Sequence, residues 1–229
     1  MNEHTVKSFD DDIGQLRALI AQMGGLAEVG LQCAITALVR NDVEMAAKVV
    51  MDDKKIDALE GEVDGLAVRI IALRAPMADD LREVVAALKI SGIVERIGDY
   101  AKNIAKRTSE VEGRNKIEPL TLIPAMAEIA GEMVHDVLDA YAARDPVRAQ
   151  AVIDTDEKVD NFYNSIFRNL VTHMMENPAT ISSAAHLLFI AKNIERIGDH
   201  ATNIAEMVHY AAIGERLPER DKGSRGIGQ

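Results

Sequence analysis

ERIGDYAKNIA, running from Glu95 to Ala105, returns as ERIGDHATNIA from Glu195 to Ala205. Nine of the eleven positions are identical, at an offset of 100 in a chain of 229 residues. A segment recurring at half the chain length points to a duplicated unit. The copied residues are largely charged, and packing alone rarely demands a repeated Glu, Arg, Asp and Asn. At about 3.6 residues per turn, Glu95, Asp99 and Asn103 stack on one helix face, as do Glu195, Asp199 and Asn203. Like charges at that spacing cost an isolated helix roughly 0.2 to 0.5 kcal/mol per pair, so a compensating cation is expected.

Outward from the phrase, apolar residues recur at alternating three and four spacing, the mark of amphipathic helices. Phe9, Ile13, Leu16, Ile20, Met23, Ala27, Gly30, Ala34 and Leu38 outline a first long helix ending at Arg40. Asn41 with Glu44 has capping-box spacing and opens a second, striped by Ile56, Leu59, Val63, Leu66, Ile70 and Leu73 and broken at Pro76. The third runs from about Asp79 to Arg107, with Ile90, Val94, Ile97, Ala101 and Ile104 inward. Three further segments follow, near Leu120 to Ala143, Pro146 to Glu176 and Pro178 to Ile213, with Asp145 and Pro146 as a start signal. Aligning Asp42 with Asp145 also pairs Ala46 with Ala149, Val49 with Val152, Asp53 with Asp156 and Asp57 with Asp160. The whole hairpin is therefore duplicated. The expected organisation is a first unit over 1–112, a polar linker over 113–119, a second unit over 120–215, and a Gly-rich, disordered tail over 216–229.

Composition agrees with an all-α chain: 48% of residues are hydrophobic, only 3% are aromatic and Trp is absent. A net charge of −11 argues against nucleic acid as a partner and against direct attachment to anionic lipid. No stretch is expected to reach the roughly 18 apolar residues of a spanning helix, and the first residues do not resemble a signal peptide. Cys33, the single cysteine, is expected to be a small buried thiol in a reducing cytoplasm.

The chemistry is carried by carboxylates. Each half offers two consecutive helices with (Asp/Glu)-x-x-x-Asp: Asp53, Asp57, Glu95 and Asp99 in the first, and Asp156, Asp160, Glu195 and Asp199 in the second. A helical wheel places them on an outer face or its rim. Oxygen donors of this kind suit iron, Mn, Mg or Ca rather than structural zinc or copper. Arg96 and Arg196 read as local charge partners, and His173 as a cap or surface residue. Glu132 with His135, and Glu206 with His209, match the Glu-x-x-His of ferritin-like bundles, which would make the chain a di-iron oxidase or iron store. Neither pair obeys the repeat. Motifs for nucleophilic catalysis, for zinc peptidases and for phosphate-cradling loops are missing, so no enzyme and no organic cofactor are expected.

The segment Ala75-Pro76-Met77-Ala78-Asp79-Asp80-Leu81-Arg82, with Glu95 to Asp99 and Asn103, resembles the first half of the PhoU family; Ile194 to Glu206 with Gly214-Glu215 resembles its second. The resemblance covers the chain from about Phe9 to Glu215. It implies two tandem, similar three-helix bundles and a cytoplasmic, non-enzymatic negative regulator of phosphate uptake and of the phosphate-starvation response. Its implied partners are the ATPase subunit of a phosphate ABC transporter, a phosphate-sensing histidine kinase and a second copy in a homodimer. Any approach to the inner membrane would run through those proteins. It also implies metal at Asp53, Asp57, Glu95 and Asp99 and at Asp156, Asp160, Glu195 and Asp199.

Overall fold

The computed structural model describes residues 2–111, 118–215 and 217. These form α1 (Asn2–Arg40), α2 (Val43–Asp52), α3 (Lys54–Arg74), α4 (Asp79–Lys106), α5 (Ile123–Ala143), α6 (Pro146–Glu176) and α7 (Ile181–Ile213), with short 3₁₀ turns between some of them. No strand occurs among the described residues. α2 and α3 are one helix bent at Asp53, whose backbone keeps right-handed helical angles. Six long helices result, arranged as two similar bundles: α1 with α2–α3 and α4, and α5 with α6 and α7. The bundles join through α4 against α7 and α1 against α5. Most of the expected linker, and the tail apart from Leu217, lie outside the described residues.

The apolar stripes face inward as the periodicity requires. Ile20, Met23, Ala27, Val63, Ile90, Val94 and Ile97 are fully buried. Each large one among them contributes about 1.5–3 kcal/mol of burial free energy. Leu73 departs from the expectation: it is 74% exposed. Cys33 is only half-buried.

The turn into α2 also differs from the capping-box reading. Asn41 adopts a left-handed conformation (φ 57°) that ends α1, and the cap is Asp42, which accepts the Met45 amide at 2.9 Å. Arg144 (φ 52°) and Asp145 repeat the arrangement, with Asp145 accepting the Val147 and Arg148 amides. Asn tolerates the left-handed region better than most residues, so it serves the turn and leaves the cap to its neighbour.

One membrane expectation needs correction. The Phe9–Arg40 part of α1 is long and apolar enough to cross a bilayer by composition, with a mean hydropathy of 1.4. Its Leu, Ile and Ala residues raise the average, although Gln, Gly, Glu28 and Arg17 interrupt any continuous apolar run. Here its Ile13, Leu16, Ile20, Met23 and Leu38 are buried in the first bundle's core.

Candidate functional site

The glycine of the repeated phrase positions the site. A Cβ at Gly98 would lie 2.7 Å from Ile56 Cδ1 and 3.3 Å from Asp53 Oδ1. A side chain there would have to displace the Ile56 terminus, so glycine brings the bend of α2–α3 close to α4 without that rearrangement. Gly198 plays the same part more loosely, its Cβ position lying 3.4 Å from Val159 Cγ1 and 3.6 Å from Asp156 Oδ1. As a result Asp53 and Asp156 are each only 6% exposed. The wheel placed them at a solvent-facing rim; the neighbouring helix covers that rim. The others meet the expectation better: Asp57 is exposed, and Glu95, Asp99, Asp160, Glu195 and Asp199 are partly buried.

A buried carboxylate needs a partner. In the first half Lys102, from the repeated phrase itself, reaches back so that its Nζ lies 2.5 Å from both Asp53 Oδ2 and Asp99 Oδ1. Burial alone would lower the ammonium's pKa, but the hydrogen bonds it donates to the two carboxylates, with their charge, raise it above the ordinary lysine value. The position is Thr in the second half, and Thr202 turns its hydroxyl to the Asp199 carbonyl oxygen. There Lys192 supplies the charge, 2.6 Å from Glu195 Oε2, where the first half has Gly92. An ammonium thus meets the carboxylates of each half from a different place, Lys102 at Asp53 and Asp99 and Lys192 at Glu195.

Glu60 completes the first cluster and was not anticipated; its repeat counterpart is Tyr163, over whose ring Lys192 lies at 5.2 Å. Burial first, then Asp99, Glu60, Asp57 and Asp53, push the Glu95 carboxyl above the ordinary range. Burial likewise raises Glu195, with Lys192 opposing and Asp199 and Asp160 reinforcing. The sequence carries a signal for Lys102, since 102 is one of the two positions at which the phrase differs between copies.

The donor set is right for a hard cation, but its arrangement as it stands does not fit one. Among the described residues no group of three or more Asp, Glu, His or Cys side chains is placed to hold one ion. In the first half the point between Asp53 and Asp99 is filled by Lys102 Nζ. The ferritin-like pairs are not gathered either. His135 is exposed beside Glu28 (3.3 Å), Glu132 faces solvent, and His209 Nδ1 lies 3.2 Å from the Glu215 carbonyl oxygen.

The phrase's other variable position marks the junction of the bundles. The Tyr100 and His200 rings pack 5.3 Å apart, and the Arg196 guanidinium lies 5.9 Å over Tyr100. Contact between equivalent positions means that a local twofold axis passes between them. Arg96 and Arg196 therefore serve this junction rather than the carboxylates alone.

These features define a class: a duplicated all-helical scaffold with a carboxylate cluster and a paired lysine in each half. The PhoU domain model matches residues 20–108 and again 123–208. The chain belongs to the PhoU family. It is 58% identical over 220 residues to the phosphate-specific transport system accessory protein PhoU homolog of Zymomonas mobilis, covering 96% of this chain and 93% of that one. The Caulobacter vibrioides homolog is 49% identical, with 95% of each covered. Among solved structures, PhoU from Pseudomonas aeruginosa superposes with a TM-score of 0.86 at 35% identity, over 90% of this chain and all of that one. The phosphate transport system regulatory protein PhoU from Streptococcus pneumoniae also gives 0.86, at 25% identity over 92% of this chain.

Proposed function

We propose that this chain is a regulatory accessory protein of a phosphate transport system. It acts in the cytoplasm as a non-enzymatic adaptor, and its negative control of phosphate uptake and of the starvation response runs through contacts with the transporter's ATPase subunit and a phosphate-sensing histidine kinase. The observation that supports this reading is the match, along nearly the full length, to relatives described as phosphate-specific transport system accessory proteins. The site chemistry supports it. Two acidic faces on a rigid scaffold suit docking to basic partner surfaces, where charge complementarity raises association rates and rejects wrong partners. Dimerisation through the bundles belongs to the same proposal.

Deleting the gene tests the role. Phosphate-starvation genes should become expressed in rich phosphate, and unchanged repression would refute it. Co-purification at high and low phosphate, with size determined on the same sample, tests the partners and the dimer.

For the carboxylates we read Lys102 and Lys192 as the resident cations. Iron, Mn, Mg or Ca at Asp53, Asp57, Glu95 and Asp99, or at Asp156, Asp160, Glu195 and Asp199, would have to share the site with an ammonium or displace it. Metal analysis of native protein beside an Asp99→Ala, Asp199→Ala double variant separates the two. Metal present in the native protein and lost in the variant would establish metal sites; near-zero metal in both leaves the lysines as the only cations.

A further inference from the structure

α4 and α7 cross antiparallel, since moving from Tyr100 to Arg107 along α4 moves the contact from His200 back to Phe189 and His186 on α7. Beside this crossing lies an open groove of about 550 Å³ lined by Asn103, Lys106, Arg107, Lys192, Asn193 and Arg196. Phe189 and Glu110 complete its wall, and Glu110 is the one carboxylate among the described residues that line it. Four cations therefore converge in a protein of net charge −11. Lys192 is paired with Glu195. Lys106, Arg107 and Arg196 make no ion pair with a carboxylate among the described residues. Arg107 is instead held by stacking, its guanidinium 4.4 Å over the Phe189 ring and 3.1 Å from His186 Nδ1.

The internal repeat shows that the fold does not require this. The twofold-related place offers Glu206 for Lys106, Met207 for Arg107, Gly92 for Lys192 and Ile93 for Asn193, and has Lys89 where the groove has Phe189. Cations at the end of α4 could be explained by the helix dipole. That explanation does not reach Lys192 and Arg196, which sit in the middle of α7. Three of the four positive charges are thus specific to one side of a duplicated structure.

We propose that this groove is a binding site for a chain of two or three phosphoryl groups, either free or carried on a nucleoside. Guanidinium and ammonium groups with nearby carboxamides are the donors that recognise phosphoryl oxygens. The groove is several times larger than a single orthophosphate requires, which favours the longer anion. Unpaired cations aimed into one concave space focus its field on such a ligand. The groove borders the second carboxylate cluster, with which it shares Lys192, and the proposal does not depend on the regulatory reading.

Titration calorimetry on the full chain, at constant ionic strength and without added metal, tests it with tripolyphosphate, ATP and orthophosphate. Tripolyphosphate and ATP should bind well ahead of orthophosphate; equal affinities for the first two mean that the phosphates suffice, and tighter ATP binding means that the nucleoside contributes. Lys106→Glu with Arg107→Met installs the residues the second copy already carries, and should weaken binding about tenfold or more while flattening its salt dependence. Lys106→Glu alone breaks no ion pair of the described structure and keeps the measurement readable if the double variant unfolds. Absence of binding at millimolar ligand, equal binding by the variants, no preference over orthophosphate, or tighter binding of polyglutamate than of tripolyphosphate would each overturn the proposal.

Discussion

At Gly98 a methyl group would press on the Ile56 Cδ1 terminus, which would have to shift, whereas Gly198 leaves ordinary contact distance. Replacing a helical glycine by alanine gains about 1 kcal/mol of helix propensity, and overpacking a core contact costs about 1–3 kcal/mol. Gly198→Ala should therefore be neutral or stabilising, and Gly98→Ala should lose about 1 kcal/mol; urea unfolding of the two variants side by side checks the difference. Lys102 is subject to a second test. Removing it strands the buried Asp53, so Lys102→Met should cost about 2–4 kcal/mol in the same assay. Glu95 behaves in the opposite sense. Its raised carboxyl pKa means that its ionised form opposes folding: the folded state is favoured below the ordinary value of 4.5 and loses that advantage as pH rises. Glu95→Gln should stabilise by up to about 1 kcal/mol at neutral pH, discounted for its partial exposure, and should give no benefit near pH 4. Melting temperatures at the two pH values decide it.

At the scale of elements, the helices were legible because their periodicity is strong and their stops are chemical. Arg40, Pro76 and the Asp145–Pro146 start all appear where the sequence placed them. The cap of the second helix was misread by one residue, since Asn41 and Asp42 are both good caps and only the left-handed turn at 41 assigns the role. Asp42→Ala and Asp145→Ala should each cost about 1 kcal/mol, measurable by thermal unfolding, while Asn41→Gly should cost little. The inward tilt of Asp53 and Asp156 was not legible. A wheel describes one helix in isolation, and those carboxylates are buried by a second helix whose glycine, Gly98 or Gly198, lets it approach closely.

At the scale of the whole molecule, the bundles are joined where the copies differ. His200 packs on Tyr100 at the local twofold, facing Arg96 from α4 and Arg196 and Asp199 from its own helix. Burial first, then Arg96 and Arg196, lower its pKa against the opposing pull of Asp199. A histidine kept neutral in the fold stabilises above its unfolded pKa near 6.5, and that stability drains away as pH falls through the folded value. Wild-type protein should lose more stability between pH 7 and 5 than His200→Gln, read from urea midpoints across that range. Glu83 also spans the junction, a buried carboxylate on α4 paired with Arg17 of α1 and with Arg144 at the end of α5. The sequence alone sufficed for the duplication, the six helices and the eight carboxylates, because periodicity and identity at fixed offset are local properties of the chain. Which carboxylates are buried, which lysine neutralises each cluster and where the unpaired cations gather depended on how helices cross. Crossing is set by side-chain volumes far apart in sequence, so the two mismatches of a nearly perfect repeat, Tyr100 with His200 and Lys102 with Thr202, acquire their meaning only in three dimensions.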